Sequence, residues 1–311
     1  NMLSEGMTDA MIAPKPRKVT GSLADDARLQ TTIAAAQLSA VEGGTTSEVS
    51  TAADVQPSAE LDAAAAVKAA QATQRELTRS DRLVLPADLQ AAEPLLDVRD
   101  LSISFPRHGD VKVVDGVSFT VRPSETMALV GESGCGKSIT SLAIMGLLDP
   151  RAHITGEIRY EGRDLLTMSR RERNALLGTG MSMIYQDALS SLNPAMLISS
   201  QMRQLTKRGG TRTAEDLLEL VGLEPARTLK SYPHELSGGQ RQRVLIAMAR
   251  TRDPRLVIAD EPTTALDVTV QAQVIELLNR LRDELGFAML FVSHDLALVA
   301  EPAHRVTVMY A

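Results

Sequence analysis

The sequence predicts an α/β domain with a largely parallel sheet over residues 93–311, preceded by a mostly disordered segment, residues 1–92. Three observations carry this expectation. "TMALVG", "RLVIADE" and "AMLFVSH" are short, nearly continuous apolar runs, the pattern of strands buried on both faces. Helical segments such as "TAEDLLELVGL" and "QAQVIELLNRLRDELG" lie between them, and strands that alternate with helices indicate a parallel sheet. The composition also changes abruptly near Leu95.

Residues 1–92 contain no Phe, Tyr or Trp and are rich in Ala, Thr, Ser and Gln. Such a segment buries too little apolar surface to offset an ordering cost of roughly 1–2 kcal/mol per residue. Leu61 to Arg79 has the composition of a transient helix. From Leu95, "LLDVRDLSISF" and "VVDGVSFTVR" alternate apolar and polar residues, as half-buried strands do. The 311 residues allow one large or two smaller domains, and an apolar content of 44% can fill a core. A net charge of −6 argues against a general nucleic-acid-binding surface. The one cysteine, Cys135, excludes an intrachain disulfide and a cysteine-based metal cluster within one chain, and fits a reducing compartment. No run of 18 or more apolar residues and no signal pattern occurs, so no membrane span is expected. Asn1 in place of Met implies an excerpt or a processed product.

"ALVGESGCGKSIT" holds Gly131-x4-Gly136-Lys137-Ser138 between a strand and the helix "SITSLAIMGLL". This is the context of a P-loop. Glycines let several backbone N–H groups turn into one concavity, and the helix start adds about half a positive charge. Gly131, Ser133, Gly134, Cys135, Gly136, Lys137, Ser138 and Ile139 are therefore the candidate phosphate cradle. Lys137 would reach the β- and γ-phosphates, and Ser138 would ligate Mg²⁺. In "RLVIADEP", Asp260 and Glu261 end an apolar strand; they either hold Mg²⁺ and polarise the attacking water, respectively, or cap the next helix. In "FVSHDL", His294 follows another strand and is a candidate γ-phosphate contact, while Asp295 suits a helix N-cap. Ligands of open α/β sheets bind beyond the strands' carboxyl ends, where all three groups fall.

With "LSGGQ" at Leu236 to Gln240 among them, these motifs closely resemble those of ABC-transporter ATPases, from about Leu95 to Ala311. "YQD" at Tyr185 to Asp187, "IADEP", "ALD" at Ala265 to Asp267 and "SHD" follow in family order. "SSLNP", "YPHELSGGQRQRV", "DEPTTALDVTVQAQV" and "RVTVMYA" are most similar to the oligopeptide, dipeptide and nickel importer branch. The resemblance implies a RecA-like P-loop NTPase core with an antiparallel β subdomain and a helical subdomain. It implies two cassettes paired head to tail, each ATP lying between one P-loop and the other chain's Ser237, Gly238, Gly239 and Gln240. Those glycines would admit backbone N–H groups to the γ-phosphate, with Ser237 capping the helix and donating to the same phosphate. Gln186 would sense the γ-phosphate, touch Mg²⁺ and face the membrane partner. Asp267 would couple the two ATP sites. Phe105 either stacks on adenine or packs in the core, and His108 is a weaker candidate for the same stacking.

Several positions depart from the family pattern. Ala188 stands where Pro is usual, Ser124 where Gly commonly precedes the third strand, and the region between "SSLNP" and "YPHELSGG" is shorter. The chain stops at Ala311 where relatives continue, and "NMLSEG" at Asn1 to Gly6 resembles the end of partner permeases, which leaves a permease–ATPase fusion as one alternative to a plain linker or tail. The function expected is an ATP-binding and ATP-hydrolysing subunit of an importer of peptides or similar small solutes. It would lie on the cytoplasmic face of the membrane and pair with permease subunits and a second cassette, identical or homologous. It would serve an extracytoplasmic solute-binding protein indirectly and bind no nucleic acid. The alternatives are a soluble ABC ATPase of translation or DNA repair, and a non-catalytic fragment.

Overall fold

The computed structural model describes residues 91–106, 111–264, 266–300 and 302–310. The expectations for residues 1–90, including the Leu61–Arg79 helix, and for His108, Ala265 and Ala311 lie outside the described residues. Strands β1 (Leu96–Ser104) and β2 (Lys112–Val121) pair first; β3 (Thr126–Gly131) then enters a second sheet and leads into α1 (Lys137–Met145). β4 (His153–Tyr160) and β5 (Arg163–Asp164) return to the first sheet, and α2 (Arg170–Leu176) precedes β6 (Met181–Ile184). A run of helices follows: α3 (Ala188–Ser191), α4 (Ile198–Thr206), α5 (Ala214–Leu220), α6 (Pro225–Thr228), a 3₁₀ turn at Pro233–Glu235 and α7 (Gly238–Ala249). β7 (Leu256–Asp260), α8 (Val268–Leu285), β8 (Ala288–Ser293), α9 (Leu296–Val299) and β9 (Arg305–Met309) complete the fold.

The first sheet has the order β2-β1-β4-β5 and is antiparallel. The second has the order β6-β7-β8-β3-β9 and is parallel throughout. Alternation along the central strands divides the apolar residues between two cores. Met127, Leu129, Leu256, Ile258, Leu290 and Val292 face the antiparallel sheet and α1, packing with Leu96, Val98, Ile144 and Ile158. Ala128, Val130, Val257, Ala259, Met289 and Phe291 point the other way, onto Val274 and Leu278 of α8 and Val244 of α7. With both faces covered, every second residue has no solvent to face, so the strands read as unbroken apolar runs. Full burial of each large side chain contributes about 1.5–3 kcal/mol.

β4, β5, β6 and β9 are strands the sequence did not announce, and β6 is the one that carries a site residue at its end. "MSMI" is four residues long and includes the buried Ser182. Its identity comes from pairing with β7, Met181 opposite Leu256 through Ile184 opposite Ala259. Helix ends, by contrast, follow local chemistry. Ser169 with Glu172 and Thr213 with Asp216 form reciprocal capping boxes at α2 and α5, and Gly286 ends α8 in the left-handed conformation (φ 67°).

Ser124, the departure before β3, has φ 58°, and its hydroxyl donates to the Gly286 carbonyl at 3.1 Å. A Cβ in this region costs about 1–2 kcal/mol, whereas glycine adds about 0.5–1 kcal/mol of unfolded-chain entropy. Ser124→Gly is therefore expected to stabilise the domain by roughly 0.5–1 kcal/mol, read as a higher urea midpoint at unchanged m-value. A lower midpoint would show that the hydrogen bond to Gly286 outweighs the backbone strain.

Candidate active site

The strand order β6-β7-β8-β3 places four carboxyl ends side by side along one sheet edge. Gln186 lies two residues beyond β6, Asp260 ends β7 with Glu261 next, His294 follows β8, and Gly131 ends β3. Groups far apart in the chain therefore meet at one edge, as ligand sites of parallel sheets do.

The glycines of the loop after β3 answer to different constraints. A Cβ on Gly131 would lie 2.2 Å from the Met309 carbonyl oxygen of β9. One on Gly136 would meet Val114 Cγ2 at 2.7 Å and the Val113 carbonyl at 2.8 Å, with φ 95° besides. At Gly134 there is space but φ is 89°, a conformation that favours glycine. Lys137 is only 4% exposed, and its ammonium donates to the Gly131 and Glu132 carbonyls, both at 2.8 Å, holding the charge within the loop. Cys135 is buried, its Sγ 3.8 Å from Lys137 Nζ, and half-buried Ile139 packs on the inter-sheet core. Ser133 and Gly134 are exposed at the tip of the loop.

Ser138 Oγ donates to Asp260 Oδ1 at 3.1 Å. Asp260 is 5% exposed, and burial pushes its carboxyl above the ordinary aspartate value; the Ser138 hydrogen bond acts in the opposite direction, and nearby Glu261 raises it further. A charge so placed suits a cation. Mg²⁺ binds through one or two protein oxygens plus substrate phosphates and water, so one hydroxyl and one carboxylate beside a phosphate loop fit it. Among the described residues no cluster of three or more His, Cys, Asp or Glu offers an all-protein metal cage.

Glu261 has φ 46° and is held from three sides. Its Oε2 accepts from Gln186 Nε2 and from Thr264 Oγ1, each at 2.9 Å. His294 Nδ1 lies 3.1 Å from Oε1, and the Glu261 side chain is 13% exposed against 55% for His294. The Glu261 N–H donates to the Val292 carbonyl, fixing the residue to β8. Its carboxylate therefore does not cap the next helix. That position belongs to Asp267, whose Oδ1 accepts from the Val270 N–H at 3.1 Å; Asp295 likewise caps α9.

Ser237 caps α7. Its hydroxyl accepts from the Gln240 N–H, and Gln240 Oε1 accepts from the Ser237 N–H at 2.9 Å. Among the described residues no hydrogen bond joins this helix start to the P-loop, and Gly238 and Gly239, the first two residues of α7, have N–H groups with no intrahelical carbonyl to reach. The two glycines also carry an intrachain constraint that the sequence did not reveal. A Cβ on Gly239 would lie 2.6 Å from Val270 Cγ1, and one on Gly238 3.1 Å from Leu266 Cδ2. Close packing of α7 on Val270 of α8 thus disfavours a side chain at Gly239 independently of any ligand, whereas one at Gly238 would need Leu266 to shift by only a few tenths of an ångström.

The profile described as ABC transporter matches residues 114–264, from β2 through the Glu261 turn. The chain is 48% identical over 227 residues to the dipeptide transport ATP-binding protein DppD of Escherichia coli K12, covering 70% of this chain and 69% of that one. The chain belongs to the ABC transporter family. It is also 50% identical over 228 residues to the peptidoglycan transport ATP-binding protein YejF of Agrobacterium fabrum C58, of which it spans 42%. The fold matches that of cbiO1 from Clostridium perfringens, part of the ABC transporter complex cbiONQ, with a TM-score of 0.59 at 25% identity, covering 70% of this chain and 85% of that one. The RecA-like core, antiparallel sheet and helical segment are thus those of an ABC cassette.

Within this ABC cassette, Ser138, Asp260, Glu261, Gln186 and His294 come together. Ser237, Gly238, Gly239, Gln240 and Asp267 lie at the starts of α7 and α8, with the three polar side chains engaged in caps. Half-buried Phe105 packs against the inter-sheet core. Thr264 was missed in reading the sequence. The only signal was its place three residues after Glu261, the span of one turn.

Proposed function

We propose that this cassette binds ATP on its P-loop, hydrolyses it with Glu261 as the base, and powers an importer of peptides or similar small solutes. The observation that carries the reading is Glu261, held by Gln186, Thr264 and His294 one residue beyond the Asp260–Ser138 pair. Lys137 and the loop N–H groups bind and orient the triphosphate. Ser138 and Asp260 would hold Mg²⁺, whose charge, when bound, offsets that of the phosphate oxygens. Glu261 takes a proton from the attacking water, and His294 and Gln186 keep the carboxylate turned toward it.

The N–H groups of Gly238 and Gly239 at the start of a twelve-residue helix make a second anion-binding element. It supports a head-to-tail pair in which each ATP is shared between one P-loop and the other chain's helix start. ATP then favours the closed pair by its differential affinity for that state. Among the described residues no helix is long and apolar enough to cross a membrane, which agrees with separate permease subunits and a peripheral place on the cytoplasmic face. Peptide-type solutes rest on the named relatives.

Ser237→Arg tests the shared site. The variant is expected to bind a fluorescent ATP analogue as the wild type does, yet to lose most hydrolysis. Wild-type turnover per chain is expected to rise with protein concentration and on addition of vesicles carrying the cognate permease. Concentration-independent turnover, together with an active Ser237→Arg variant, would overturn the paired reading.

A further inference from the structure

The Glu261 carboxylate has roughly four lone-pair positions. Oε2 uses both of its own, accepting from Gln186 Nε2 and Thr264 Oγ1 at 2.9 Å each. Oε1 faces His294 Nδ1 at 3.1 Å. An Nδ1–H there occupies one lone pair and leaves one, on Oε1, open to a water proton. The carboxylate is thus presented in a single rotational setting, on a residue that lies outside any helix or strand and has a positive φ.

Of the groups that impose this setting, Thr264 is bound to the same turn as its target. Its N–H donates to the Glu261 carbonyl at 3.2 Å while its hydroxyl reaches the carboxylate, so backbone and side chain close the turn together. Gln186 and His294 reach in from other strand ends, and both are exposed. Gln186 is tied to the glutamate only through a side chain that arrives from the end of β6. The threonine, three residues away in a hydrogen-bonded turn, stays with the glutamate wherever that turn goes.

We propose that Thr264 is a positioning residue for hydrolysis: its hydroxyl pins Glu261 Oε2 and thereby reserves Oε1 as the atom that receives the proton from the attacking water. The role requires a hydroxyl at γ, not the methyl group. It involves no contact with nucleotide, so binding should be indifferent to it. This inference rests on Glu261 acting as the base.

The test compares Thr264→Val, Thr264→Ser, Glu261→Gln and the Thr264→Val/Glu261→Gln double variant. Thr264→Val is expected to lower kcat by about 10- to 100-fold, the range of a misplaced catalytic group. KM for ATP, the affinity for a fluorescent ATP analogue and the melting temperature should remain near wild type. Thr264→Ser should recover most of the rate. Adding Thr264→Val to Glu261→Gln should cost nothing further, since groups acting through one another are non-additive. Wild-type kcat in Thr264→Val would overturn the inference. So would a Thr264→Ser variant as slow as Thr264→Val, or an equal further loss in the double variant. If Glu261→Gln itself turns over normally, the base assignment fails first; if only the Thr264 variants behave as wild type, the base stands and the positioning role falls.

Discussion

Glu261→Gln is expected to lower ATP turnover by about 10²- to 10⁴-fold while leaving ATP binding within a few-fold of wild type. Glutamine is nearly isosteric. Its carbonyl oxygen can take the Oε2 position and keep accepting from Gln186 and Thr264, and its amide group then donates to His294 Nδ1, the imidazole carrying its proton on Nε2 instead. The scaffold survives, and what disappears is the anionic oxygen that receives the proton. With binding intact and hydrolysis blocked, the ATP-bound pair should accumulate, visible as a dimer in size-exclusion chromatography with ATP. Turnover within twofold of wild type would remove Glu261 from the chemistry and leave the cluster around it without its assigned purpose.

Lys137→Ala should weaken nucleotide binding on the order of 100-fold. A charge-assisted hydrogen bond contributes about 1.5–3 kcal/mol, and each 1.4 kcal/mol is a tenfold change in affinity. The lysine also serves the empty fold. Its ammonium is buried and bonds the Gly131 and Glu132 carbonyls, so alanine leaves both acceptors without that donor, and the melting temperature should fall as well. Lys137→Met, which retains the apolar stem, separates the two effects. It should recover part of the lost stability and none of the lost affinity in a fluorescent-nucleotide titration. Tight binding by Lys137→Met would place the triphosphate elsewhere.

The parts of this site legible in the sequence share one property: each is a local arrangement. The P-loop reads from its spacing because its glycines serve a loop that closes within a few residues. β3, β7 and β8 read from their apolar runs because both faces are covered. Asp295 announces its helix because a cap reaches only two or three residues ahead. β6 did not read, since four residues with a buried serine carry no periodicity until β7 pairs with them. Gly239 was read for a phosphate, yet Val270 alone already excludes a side chain there. Gln186 entered only through family resemblance, and Thr264 did not enter at all.

The amino-acid order alone determined the loop that can cradle phosphates, the strand that ends in two carboxylates, and the helix that starts on two glycines. The tertiary structure decided which of these act on one another. Gln186 and Glu261 are 75 residues apart in the chain and 2.9 Å apart in space, a contact no local pattern encodes. Burial of both strand faces aligns β6, β7, β8 and β3 in parallel, and parallel alignment brings their carboxyl ends to a common edge. That collective packing places side chains from the loops after β6, β7 and β8 around a single carboxylate, with the P-loop after β3 on the same edge.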